Sequence, residues 1–133
     1  MSQDQTIQKL LNTVKTIAVV GLSSRPAKPA HYVPAYLQAH GYHIIPVNPN
    51  LTQVLEEKAF PDLASIPEPV DLVLLFRRSE DVYPFVEQAI QIGAGAVWMQ
   101  LGIADEKAAA LASNAGLDVV MDACMLVEHK RYL

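Results

Sequence analysis

Five short apolar runs, at 16–20, 42–47, 70–76, 96–99 and 117–121, divide this chain, each pair separated by enough residues for a crossover. Strands joined by a two-residue turn make hairpins, whereas strands separated by a helix-length connection lie parallel. The third run, Val70-Asp71-Leu72-Val73-Leu74-Leu75-Phe76, is the most restrictive of the five. It is apolar without alternation, as a central parallel strand covered on both faces must be. The chain therefore reads as α/β, with right-handed crossovers and helices on both faces of one parallel sheet.

The intervening segments fit that reading. Ile7, Leu10, Leu11 and Val14 recur at helical spacing, and Val33, Tyr36 and Leu37 mark a second helix closed by His40-Gly41. Ser79 is read as the cap of a helix running to Ile92, and an Ala-rich helix over 105–115 stops at Gly116. Segment 51–60 is ambiguous, with Val54 and Leu55 open to a short helix, and the residues beyond 121 read as an exposed tail. The length of 133 residues suits one domain over 1–133. The expected architecture is a three-layer, Rossmann-like, doubly wound sheet of about five strands in the order 3-2-1-4-5. That order puts its reversal between the first and fourth strands.

Composition removes several classes of function. A hydrophobic share of 51% supplies an ample core, and a net charge of −4 argues against a nucleic-acid binder. The single cysteine, Cys124, excludes an internal disulfide and fits a reducing cytoplasm. Residues 1–11 lack a signal-peptide pattern, and no apolar run approaches the roughly 20 residues of a membrane span.

In an open parallel sheet, ligands bind beyond the carboxyl ends of the strands, where the strand order reverses. The first loop there is Gly21-Leu22-Ser23-Ser24-Arg25-Pro26-Ala27-Lys28-Pro29. Gly21 permits a sharp turn, Ser23 and Ser24 offer hydroxyls, and the next helix offers free N–H groups to a phosphate. The pattern is neither Gly-x-Gly-x-x-Gly nor a P-loop. Of ten Lys and Arg residues, four (Arg25, Lys28, Arg77 and Arg78) fall in the loops after the first and third strands. Such side chains suit phosphate, although Glu80 and Asp81 are also at hand to pair with the arginines. After the second strand, Val47-Asn48-Pro49-Asn50 stands where NAD-binding domains carry a ribose-holding carboxylate. This tilts the reading towards a nucleotide with an extra phosphate.

The ordered set Gly21-Leu22-Ser23-Ser24, Tyr36-Leu37, Gly41-Tyr42, Pro46-Val47-Asn48-Pro49, Phe76-Arg77-Arg78, Val97-Trp98-Met99-Gln100-Leu101-Gly102, Val119-Val120-Met121-Asp122, Cys124 and Glu128-His129 resembles the stand-alone CoA-binding protein family. These are small relatives of the nucleotide-binding domain of the succinyl-CoA synthetase alpha subunit. The resemblance implies that Gly21, Ser23, Ser24, Arg25 and Lys28 hold phosphates, and that Val47, Asn48 and Pro49 approach the adenosine. It implies that Phe76, Arg77 and Arg78 close over the cofactor, with Trp98 and Gln100 on the pantetheine side. Segment 51–60 departs from the family in lacking a glycine, and Leu74 departs where an acidic residue is frequent.

No catalytic set stands out. Cys124 and His129 could suggest a nucleophile and base, but a cysteine is more often a small buried hydrophobe. His31, His40, His43 and His129 show no metal-ligand spacing. The chain is too short to hold the phosphorylated histidine and nucleotide-grasping domain of a related synthetase. The leading expectation is a module that binds coenzyme A or acyl-CoA without turnover of its own. The alternatives are an NADP-type enzyme and a regulatory domain with a vestigial crevice. A homodimer or a partner enzyme stays open, with neither nucleic acid nor membrane as partner.

Overall fold

The computed structural model describes residues 1–133. Five parallel strands form one sheet: β1 (Thr16–Val20), β2 (His43–Val47), β5 (Leu72–Leu75), β6 (Ala96–Met99) and β7 (Asp118–Val120). Between β2 and β5 lies a small antiparallel hairpin of β3 (Gln53–Val54) and β4 (Glu57–Lys58). Helices α1 (Gln3–Thr13), α2 (Pro29–Ala39) and α5 (Met125–Tyr132) cover one face. Helices α3 (Tyr83–Gln91) and α4 (Glu106–Asn114) cover the other.

Alternation along each strand builds the two cores. Ile17, Val19, Leu72, Leu74, Ala96 and Trp98 point to the first face, against Ile7, Leu10, Leu37 and Met125. Ala18, Val20, Val73, Leu75, Val97 and Met99 point to the second, against Val86, Ala89, Ala108 and Ala112. All four residues of β5 are buried, as its unbroken apolar run requires. No helix is long and apolar enough to cross a membrane.

The expected class of fold is present, but the strand order is corrected. The order is β2-β1-β5-β6-β7, so the third main strand lies beside β1 and not outside β2. Two properties of the chain explain this. A strand apolar on both faces belongs in the sheet interior, and Pro46, with no N–H to give to a ladder, keeps β2 at an edge. The reversal therefore falls between β1 and β5.

Both edges of the sheet are occupied. Phe60 runs beside β2, giving its N–H to Pro46 and accepting from Asn48, each at 2.9 Å. At the other edge, the Gln3 amide donates to the Met121 carbonyl at 2.9 Å and accepts from the Met121 N–H at 3.0 Å.

Local departures have local causes. Leu55 and Glu56 both adopt positive φ, which is the geometry of a two-residue hairpin turn and settles the ambiguous segment as a hairpin, not a short helix. Helix α3 begins at Tyr83 with Pro84 in its first turn, later than the Ser79 start expected. Ser79 instead opens a 3-10 turn, and its hydroxyl accepts from the Ala104 N–H at 3.0 Å. The supposed tail is helix α5, with Met125 and His129 buried.

Candidate functional site

The carboxyl ends of β2, β1 and β5 are laced together. Gly21 donates its N–H to the Val47 carbonyl at 2.9 Å, and Phe76 donates to the Val20 carbonyl at 3.0 Å. Gly21 has φ +85°, and a Cβ built there would lie 2.9 Å from the Phe76 carbonyl oxygen and 3.5 Å from Arg77 Nε. A side chain at this position is therefore excluded both by backbone conformation and by the approach of the β5 loop. The first and third loops meet at Gly21, where the corrected strand order puts the reversal.

The loop from Gly21 to α2 is held at its base. Ser23 donates its N–H to the Ala30 carbonyl at 3.0 Å, and its own carbonyl lies 2.6 Å from His31 Nδ1. The Ser23 hydroxyl accepts from the Arg25 N–H at 3.1 Å. Leu22 is fully buried beneath the loop, whereas Ser24, Arg25 and Lys28 are exposed. Lys28 is the N-cap of α2 and makes no side-chain capping bond, and Pro29 occupies the first turn. The positive end of α2 thus remains open beside two cations, a favourable setting for an anion.

Arg77 is the distinctive residue of the third loop. It is half-buried, its guanidinium lies 5.9 Å from the Phe85 ring, and its Nε is enclosed without a hydrogen-bond partner. An enclosed donor on a charged group is costly to leave without an acceptor. Arg78 behaves differently: it is exposed and paired with Asp81 at 3.0 Å and Glu80 at 3.5 Å. Asn48 uses its side chain as a tie, donating from Nδ2 to the Leu22 carbonyl at 3.0 Å and accepting from the Asn50 N–H at 2.9 Å. Val47 is buried and Pro49 exposed beside it.

Residues 15–130 match the family described as CoA binding domain. The chain belongs to that family. The Bacillus subtilis (strain 168) protein YneT is 41% identical over 123 residues, covering 92% of this chain and 91% of its own length. The Archaeoglobus fulgidus acetate–CoA ligase (ADP-forming) II is 33% identical over 95 residues; these are 69% of this chain and 14% of the ligase. Among solved structures, a protein from Pyrococcus horikoshii superposes with a TM-score of 0.93 at 40% identity, covering 97% of this chain and 91% of that one. The CoA binding domain thus occurs both in chains of about this size and as a small part of a ligase.

Two of the expected contact residues lie in the core of this CoA binding domain. Trp98 is fully enclosed and gives its indole N–H to the Ala123 carbonyl at 2.8 Å. Gln100 is buried, and its Oε1 accepts from the Met125 N–H at 3.2 Å. Their side chains hold the start of α5 from within the core. His31 and Phe85 were not on the expected list; one braces the Ser23 carbonyl and the other supports Arg77. The position of His31 in the first turn of α2 was a usable signal for the first. Phe85 lies in no motif, and only the folding of α3 brings it to the third loop.

A cavity of about 350 Å³ lies at the opposite edge of the sheet, between Lys9, Thr13, Asp71, Gly93 and Asp118. It is walled by strand beginnings and by the ends of α1 and α3, which present carbonyl oxygens. With Asp71 and Asp118 in its lining, it is a poor seat for a polyphosphate. The carboxyl edge has the open helix N-terminus and the unpaired cations that such a ligand needs.

Proposed function

We propose that this domain binds coenzyme A or acyl-CoA across the carboxyl edge of the sheet, as a module without catalytic turnover of its own. The phosphates lie against the loop of Gly21, Ser23 and Ser24, within reach of Arg25, Lys28 and Arg77. The adenosine end lies near Val47, Asn48 and Pro49, and Phe76 and Arg78 border the third loop. The observation that carries the reading is the enclosed, unpartnered Nε of Arg77 beside the side-chain-free surface of Gly21. An anionic oxygen that accepts from this Nε would satisfy the enclosed donor. Membership of the CoA binding domain family supports the choice of nucleotide.

Cys124 and His129 have structural places in this reading: His129 Nδ1 is engaged by the Tyr36 hydroxyl at 2.7 Å. Cys124 forms the N-cap of α5.

Calorimetry with CoA, dephospho-CoA, NAD and NADP tests the reading. CoA binds most tightly, and Arg77→Ala weakens it by roughly 10- to 100-fold, the loss of one charge-assisted hydrogen bond. If Arg77 or Lys28 meets the 3′-phosphate, its alanine variant loses more affinity for CoA than for dephospho-CoA. No CoA binding at millimolar concentration, or equal binding of NAD, refutes the proposal.

A further inference from the structure

The inward face of α5 meets α2 through a group of ionisable rings. His129 is 8% exposed, and its Nδ1 lies 2.7 Å from the Tyr36 hydroxyl. Its ring stands edge-on to Tyr36 at 5.3 Å, to His40 at 5.0 Å and to Tyr42 at 5.8 Å between centroids. His40 in turn packs on Tyr36 at 4.1 Å and places its Nδ1 2.8 Å from the Tyr36 carbonyl. Lys130 Nζ sits 5.5 Å from the centre of the Tyr36 ring.

The ionisable groups whose rings meet His129 are two tyrosines and a histidine, none of them a carboxylate. Helix α2 contributes Tyr36 and His40, and β2 with its preceding turn contributes Tyr42. Helix α1 turns Thr6, Ile7, Leu10 and Leu11 inward, and its Leu11 carbonyl is taken by the Tyr42 hydroxyl at 2.6 Å. On α5 itself Lys130 and Arg131 are cationic, and Glu128 faces Arg131 at 4.0 Å. No carboxylate lies within 4.0 Å of His129 or His40. His43 is the contrast, with Glu57 at 3.9 Å and Glu68 at 3.5 Å. A proton on His129 is thus buried beside His40 and Lys130 without a counter-ion, which is the costly arrangement.

We propose that His129 is an acid-sensitive latch: its neutral ring seats α5 on α2, and its protonation beside His40 and Lys130 releases that helix. Burial and, next, the charge of His40 hold the His129 pKa below its ordinary 6.5. A depressed pKa in the docked state means that the docking free energy is complete above 6.5 and is lost as pH falls through the lower, docked value. Helix α5 is suited to local release because it is only eight residues long.

The protein carries its own reporter. Trp98 is its one tryptophan, and the indole N–H is held by the carbonyl of Ala123, two residues before α5. Release of α5 admits water to this indole and shifts its emission to the red. Between pH 8 and 5, without ligand, the wild-type emission is expected to shift with a midpoint below 6.5 while the far-ultraviolet circular dichroism stays largely intact. His129→Gln, which hydrogen-bonds without titrating, abolishes the shift. His40→Gln, which removes the like charge, moves the midpoint to lower pH. The proposal is overturned by an emission flat over this range in wild type, by a His129→Gln shift with the wild-type midpoint, or by loss of the whole dichroism signal at the same pH. Should His129→Gln be unfolded at pH 8, His40→Gln decides: an unchanged midpoint overturns the latch. None of these readings depends on whether CoA binds.

Discussion

Replacing Gly21 by alanine combines two penalties that a second glycine separates. At φ +85° an alanine pays the left-handed strain of about 1–2 kcal/mol. Its Cβ would also stand 2.9 Å from the Phe76 carbonyl oxygen, a backbone atom fixed by the β1–β5 ladder, so the third loop must move. Forced displacement in a packed region costs roughly 1–3 kcal/mol. Together they give a destabilisation of about 2–5 kcal/mol. Gly116 is the control: its φ is +90°, but nothing lies within 4 Å of an added Cβ, so only the backbone strain applies. Urea unfolding followed by circular dichroism reads both variants. With a slope of about 1–3 kcal/mol per molar for a domain of this size, Gly21→Ala lowers the midpoint by roughly 1–3 M at constant slope. Gly116→Ala lowers it by about half as much. Equal losses for the two would refute the close approach of the first and third loops. CoA affinity adds a second axis: it falls in Gly21→Ala and is retained in Gly116→Ala.

The Tyr42 hydroxyl satisfies the Leu11 carbonyl, one of the last in α1, which has no partner within its helix. Tyr42→Phe therefore costs about 1–3 kcal/mol at neutral pH, measured by chemical denaturation. Burial, with Tyr36 adding to it, raises the Tyr42 pKa above 10.0, so its stabilisation is full below 10.0 and is lost as pH rises through the folded value. The difference between wild type and Tyr42→Phe should accordingly shrink above pH 10.0; a constant difference would contradict the assignment. At the hairpin, exposed Glu56 holds φ +61°, and Glu56→Gly relieves that strain for a gain of about 0.5–1 kcal/mol. Scanning calorimetry should show a melting temperature higher by about 2–4 °C, and a decrease would count against the turn geometry.

The strands were readable because burial on two faces leaves an unbroken apolar run, and β5 is the plainest case. Their order was not, since periodicity says which faces are covered and nothing about which strand lies alongside. Pro46 was the available clue that β2 is an edge. Helix α5 escaped notice because its inward side is carried by Met125 and His129, with Lys130 and Arg131 following, which gives little apolar rhythm. The β3–β4 turn was hidden by Leu55 and Glu56, which take a conformation usually signalled by Asn or Gly. For the groove, the clustering of cations in two loops was legible, and the folded chain divides them: Asp81 and Glu80 occupy Arg78, while Arg77 keeps its Nε unpaired. Trp98 and Gln100 stood at the right end of a strand, but sequence position alone could not tell that their polar atoms serve Ala123 and Met125.

The amide of Gln3 against Met121 has a consequence for how this domain behaves in company. It offers one donor and one acceptor in the spacing of a neighbouring strand, and Phe60 does the same for β2 with its own backbone. Each contact takes up edge groups of one or two residues and so narrows what the border offers to strand addition, the usual route to self-association. Gln3→Ala would free the Met121 N–H and carbonyl. The first helix thus reaches the rim of the sheet as well as closing the core.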